Sequence, residues 1–208
     1  SFLLPLIIYS FTMAPTVSLW DCGEFIATSV ILGIPHPPGT PLYLIISNFF
    51  SQLPLFENLA ARVNLVSPIT SALAVMFLYM IIVYLLEEIN KKTNTELTVY
   101  NKSLIIYLAS FIGAMTFAVT DSHWFNAVEA EVYSLSTFFT AIIIWLILKW
   151  SREFDTKDQL KYLILICYLI GLAIGIHLLN LLAIPFIGLI IYFKYIKSVK
   201  SINFQNII

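Results

Sequence analysis

Charge is scarce in this sequence. Aspartate, glutamate, lysine and arginine make up only 11% of its 208 residues, less than half the roughly 25% of an ordinary soluble domain. Against a hydrophobic fraction of 60%, that shortage points to an integral membrane protein. A basic excess is missing as well: the formal net charge is −1, which argues against a nucleic-acid partner. Cysteine is limited to Cys22 and Cys167. Their expected membrane depths differ, so both read as packing fillers rather than a disulfide. No basic stretch precedes the first apolar run, so a signal peptide is not indicated. With Ser1 opening directly on apolar sequence, the chain is expected to be the amino-terminal part of a longer protein and to form a single transmembrane domain over 1–208.

What the sequence has instead is long apolar runs. A bilayer crossing needs about 20 such residues. Phe2–Leu19, Val63–Leu86, Leu104–Thr120 and Ala127–Leu148 each supply one. The run Tyr162–Phe193 is too long for one crossing and is broken by Gly171, Gly175, His177 and Asn180, so it is expected to turn near 177–180 and cross twice. The prediction is an all-α membrane fold of about six transmembrane helices. Pro41–Leu53 is shorter and reads as re-entrant or interfacial. Cys22–Leu32 has helical spacing and reads as an interfacial helix with Asp21 as its cap.

Ten of the eleven basic residues fall in three connectors: Lys91, Lys92, Lys102, Lys149, Arg152, Lys157, Lys161, Lys194, Lys197 and Lys200. The positive-inside rule makes that side cytoplasmic. The Asn101–Ser103 sequon lies there too and is discounted. The opposite side carries Asp21, Glu24, His36, Glu57, Arg62, Asp121, His123, Glu129, Glu131 and His177, drawn from the first outer loop (20–62), the turn at 121–126 and the break near 177. Ionisable residues held at membrane depth are costly and mark function.

Each of these residues also has a plainer explanation. Asp21 can be only a helix cap, with Glu24 its partner. The prolines of "PHPPGTP" can be loop stiffeners that hold His36 rigid. Arg62 can be an interfacial anchor, and His177 with Asn180 a helix-break device. Glu129 and Glu131, two apart on an expected helix, should point in different directions and not pair. The argument for a site is that so many of them share one face.

The stretches "WDCGEF", "HPPGTPLY", "AVEAEVYSLSTFF" and "GIHLLNLLAIP" together resemble the amino-terminal membrane region of an O-mannosyltransferase-like family, formerly catalogued as a domain of unknown function, within the GT-C superfamily. The resemblance runs in order from about Trp20 to Pro185. It implies a GT-C-like fold and an enzyme that takes sugar from a polyprenyl-phosphate donor. It also implies an essential acid just after the first helix, at Asp21 with Glu24 beside it, and further helices with a soluble carboxy-terminal domain beyond this chain.

The residues fit that chemistry. Asp21 is the expected base toward a Ser/Thr hydroxyl of a protein acceptor. Arg62, His36, His123 or His177 would meet the lipid phosphate. Asp121, Glu129, Glu131, Tyr133 and Asn180 are available to the sugar, and the lipid tail would lie in the bilayer. A β-linked donor would be inverted. The scheme requires no metal, although an Asp/Glu/His cluster can bind a divalent ion. The site would face the outside of a bacterial inner membrane or the lumen of the endoplasmic reticulum. A transporter is the main rival, and a non-catalytic membrane subunit the third reading. Transporters place ionisable groups near the bilayer midplane, whereas here the expected crossings are free of them apart from the break at His177.

Overall fold

In the computed structural model, residues 1–92, 99–154 and 159–205 are described, and their regular structure is helical throughout. Lys157, one of the basic connector residues, lies outside the described residues. The helices are α1 (Leu3–Thr12), α2 (Cys22–Ile31), α3 (Pro41–Gln52), α4 (Leu59–Asn64), α5 (Val66–Lys92), α6 (Val99–Ala118), α7 (Asp121–Ala127), α8 (Val132–Arg152), α9 (Gln159–Ile174) and α10 (Ala183–Gln205). Among the described residues, four helical stretches are long and apolar enough to cross a membrane: Leu59–Lys91, Asn101–Ala118, Val132–Arg152 and Leu178–Ile196. The apolar helices α1 and α9, where two further crossings are expected, are shorter. Residues along α6 such as Leu104, Ile105, Leu108 and Ile112 are exposed, as lipid-facing side chains would be.

Helix α8 is the central element, packed on α5, α9 and α10. Its lower half sits in a cluster of Ile143, Leu146, Ile147 and Trp150 with Ile166 of α9 and Ile187 of α10. At the basic end, Arg152 reaches back to Glu87 at 2.8 Å and Glu88 at 3.3 Å, and Lys91 pairs with Glu88.

The expected turn in the long apolar run is present. Helix α9 stops at Ile174, a 3-10 turn covers Leu178–Leu182, and α10 follows. Asn180 explains the break. Its buried amide donates to the Ala173 and His177 carbonyls, and its oxygen accepts from Thr140 of α8. His177 adds a cap, its Nδ1 accepting the Leu179 N–H at 3.1 Å. Gly175 lets α3 close in: the Leu42 N–H, one of the donors a helix start leaves unpaired, bonds to the Gly175 carbonyl at 2.8 Å. A Cβ on Gly175 would stand 3.3 Å from that of Leu42.

The expectation of one helix over Ala127–Leu148 is corrected. The chain forms the short α7, leaves helical geometry at 128–131, and starts α8 at Val132. Glu131 is extended, with φ −132° and ψ 144°. Tertiary contacts explain the interruption. Ala130 is fully buried against Ile26 of α2 and Ala60 and Val63 of α4, and the Val128 carbonyl accepts the Ala14 N–H at 2.8 Å.

A shared core lies under the outer end. Phe25 of α2, Tyr43 and Leu44 of α3, Val66 of α5, Val132, Leu135 and Phe139 of α8, and Ala173 and Ile176 form one buried cluster. The 20–62 segment is thereby fixed to the bundle through α2 and α3.

Candidate active site

The interruption at 128–131 builds half of the site. Residues 128–130 are bends and Glu131 is extended, so the side-chain directions of a helix do not apply here. With Ala130 turned into the core, Glu129 and Glu131 face together, and both are buried. The expectation that they point apart is therefore corrected; it rested on a helix that does not extend through them. Facing them is Cys22, at the first position of α2. Its sulfur lies 3.8 Å from the Glu131 Oε1, and single ligand atoms of Cys22, Glu129 and Glu131 all lie within 4.8 Å of one another. Cys22, expected as a packing filler, is instead one of this trio. The available signal was its position, directly after Asp21.

The other half comes from the first loop. Trp20 precedes Asp21 with a left-handed φ of 61° and an 82% exposed side chain. Such backbone is unfavourable for a bulky residue and tends to be kept where a site needs it. Asp21 stands at the N-cap position of α2, but its φ of −79° and ψ of −4° are already helical and its side chain caps nothing. An N-cap residue needs extended backbone to turn its oxygen onto the helix N–H groups. The capping expectation is corrected on that ground, and the carboxylate is left facing outward.

Glu24, one turn on, takes both polar groups of His36: the backbone N–H at 2.7 Å and Nδ1 at 2.8 Å. The loop returns through a turn in which the Gly39 N–H bonds to the His36 carbonyl, with Gly39 at φ 94°. Ligand atoms of Asp21, Glu24 and His36 also lie within 4.8 Å of one another, all three residues being exposed.

The two trios are adjacent, as their mutual influence on proton affinity shows. Burial, and then the negative charges of Asp21 and Glu129, push the Glu131 carboxyl up to about 7. Burial first, and the charges of Glu129 and Glu131 next, push the Cys22 thiol up to about 12. The hydrogen bond to Glu24 raises His36, and the bonds from His36 lower Glu24. The signs define a pH window. The raised His36 makes the pair complete below the ordinary histidine value and weakens it as pH rises through the folded value. The lowered Glu24 dissolves it from the acid side as pH falls through its own folded value.

A histidine-selective NMR titration checks this. His36 is expected to titrate above about 6.5, and Glu24→Gln is expected to bring it back toward that value. An unchanged His36 titration in the variant would show that Glu24 does not hold it.

The remaining residues fall in separate places. The Tyr133 and His177 rings are in contact, tilted by 47° with centres 5.1 Å apart. Partial burial lowers His177, and with Nδ1 accepting from Leu179 it acts as a neutral cap. Asn180 is buried in the helix break. His123 packs against Tyr9 and Phe117, and burial lowers it to about 4, so at neutral pH it is an uncharged core residue. Asp121 is exposed at the start of the same helix. Arg62 donates to the Phe56 carbonyl at 2.6 Å and to Ser51 at 3.3 Å, stitching the end of the loop. The charged chemistry thus concentrates in Asp21, Glu24, His36, Cys22, Glu129 and Glu131.

Comparison with known proteins gives this geometry a context. Residues 21–200 match a family model described as the protein O-mannosyl-transferase TMEM260 N-terminal domain. Two curated relatives carry the name protein O-mannosyl-transferase TMEM260. The one from Dictyostelium discoideum is 27% identical over 193 residues, covering 86% of this chain and 21% of its own length. The one from Mus musculus is 24% identical over 167 residues, covering 80% of this chain and 21% of its own length. The chain thus spans about a fifth of the length of these relatives. No solved structure matches significantly.

Proposed function

Because the chain belongs to the protein O-mannosyl-transferase TMEM260 N-terminal domain family, we propose that it is the donor-binding and catalytic membrane part of a transferase moving mannose from a polyprenyl phosphate to Ser/Thr hydroxyls of proteins. The observation that carries this reading is the gathering of Asp21, Glu24, His36, Glu129 and Glu131 into two neighbouring trios from segments far apart in sequence. Asp21 is the base. It takes the proton from the acceptor hydroxyl as that oxygen attacks the anomeric carbon. The carbon–oxygen bond to the lipid phosphate breaks, and the phosphate leaves with the bonding pair. In-line attack inverts the anomeric centre. His36, held in place by Glu24, faces the departing phosphate as a donor. Glu129, Glu131 and Tyr133 take the sugar hydroxyls.

The exposed apolar side chains of Ile31, Leu32, Ile34, Ile45 and Phe49 flank the loop and offer the lipid tail a path from the bilayer. The bundle has six crossings in this reading, with α1 and α9 completing the four long spans. The basic connectors face the cytoplasm, and the site faces the lumen or exterior.

The test is transfer by the full-length protein in lipid nanodiscs, with polyprenyl-phosphate mannose and a nucleotide-linked mannose compared as donors to a Ser/Thr-containing acceptor. Mannose should pass from the lipid-linked donor and not from the nucleotide. Transfer from the nucleotide alone would reject the proposed donor, and transfer from neither would reject the reading.

A further inference from the structure

The trio of Cys22, Glu129 and Glu131 poses a charge problem that binding a neutral sugar does not solve. All three side chains are buried, to 0%, 5% and 6% relative exposure. Buried carboxylates are ordinarily paired with a cation or fully hydrogen-bonded. Here the Glu129 Oε1 is buried without any hydrogen-bond partner. Among the described residues no lysine or arginine pairs with the cluster: Arg62 is engaged with the Phe56 and Ser51 carbonyls, and His36 is taken by Glu24 in the exposed trio.

The spacing of the donor atoms suits a metal ion. Zinc binds sulfur at about 2.3 Å and carboxylate oxygen at about 2.1 Å, so a tetrahedral angle separates S and O by about 3.6 Å. The Cys22 sulfur lies 3.8 Å from the Glu131 Oε1, and the full set closes within 4.8 Å. The backbone is also arranged for it. Ala130 anchors the two glutamates from behind, and Cys22 opens α2 opposite them.

We propose that Cys22, Glu129 and Glu131 form a binding site for one thiol-accepting divalent cation, with zinc the best-matched chemistry. A thiolate with two carboxylates is a mixed soft and hard donor set, which selects a borderline ion of this kind over magnesium or calcium. Three protein ligands leave a fourth tetrahedral position for water or a ligand oxygen. Binding displaces the thiol proton to solvent and brings positive charge to the acidic cluster. The site stands independently of the transferase reading; only a role for the ion beside a donor phosphate rests on it.

Cobalt(II) is the probe, because a thiolate ligand gives it a near-ultraviolet charge-transfer band. Full-length protein stripped with chelator and titrated with cobalt should bind one ion with that band, and zinc should abolish it by displacement. Cys22→Ser should lose the band while Cys167→Ser keeps it. Glu129→Gln retains the thiol, and it should weaken cobalt binding at least tenfold with the metal-free unfolding temperature unchanged. That second variant keeps the test decisive if Cys22→Ser fails to fold. Absence of equimolar binding, a band that survives Cys22→Ser, or unchanged affinity in Glu129→Gln would each overturn the proposal, whether or not the protein transfers mannose.

Discussion

Asp21→Asn is expected to reduce mannosyl transfer by about 10²–10⁴-fold, the usual contribution of a positioned general base, while unfolding temperature stays close to wild type. The substitution keeps the shape of the side chain and removes its ability to accept a full proton. Little stability should be lost, since Asp21 is exposed and its side chain does not cap α2.

The neighbouring acids are poorer candidates on physical grounds. Glu24 is committed to His36 through both oxygens, and Glu131, raised to about 7, is partly protonated near neutral pH. Glu24→Gln should therefore lower transfer less than Asp21→Asn, by loosening His36. If transfer persists at wild-type rate in a folded Asp21→Asn protein, the base lies elsewhere. If Glu24→Gln proves the more damaging change, that residue takes the role.

Ala130→Leu should cost about 1–3 kcal/mol, the range for forcing extra methylenes into a filled site. Ala130 has no exposed surface and packs on Ile26, Ala60 and Val63. Because it sits between Glu129 and Glu131, the larger side chain must also push both carboxylates out of register. Loss of transfer should exceed what the fall in stability explains. The control is Ala27→Leu, on the exposed side of α2, which should change neither quantity appreciably. Comparing thermal unfolding and transfer for the two variants in the same lipid checks this. Equal effects from both would mean that the 128–131 segment is not pinned from behind.

That same segment marks where sequence reasoning reached its limit. Val-Glu-Ala-Glu has good helix formers, and nothing local announces a break before Val132. The break arises from contacts to residues about 65–115 positions away, the packing of Ala130 on α2 and α4 and the bond from Ala14 to Val128. Local pattern carries no information about such contacts, so the pairing of Glu129 with Glu131, and of both with Cys22, was invisible. The break at 177–180 was legible for the opposite reason. Gly175, His177 and Asn180 are themselves the groups that make the turn. Asp21, Glu24 and His36 were also legible as one group, because the prolines and Gly39 that fold His36 back lie within the same loop. Arg62 shows the converse: a lone outer arginine looks available for phosphate, but the structure engages it with two carbonyls of its own loop.

The most direct test of the account is to map where the donor sits. A polyprenyl-phosphate mannose analogue with a photoreactive group on the sugar would be cross-linked to the full-length protein and the modified residues read by mass spectrometry. Labelling is predicted within 20–36 and 129–133, competed by unmodified donor and kept in Asp21→Asn, which removes the proton acceptor but not the pocket. Competed labelling confined to the basic end, around Lys149 and Arg152, would contradict the assignment of the outer acidic cluster as the transfer site.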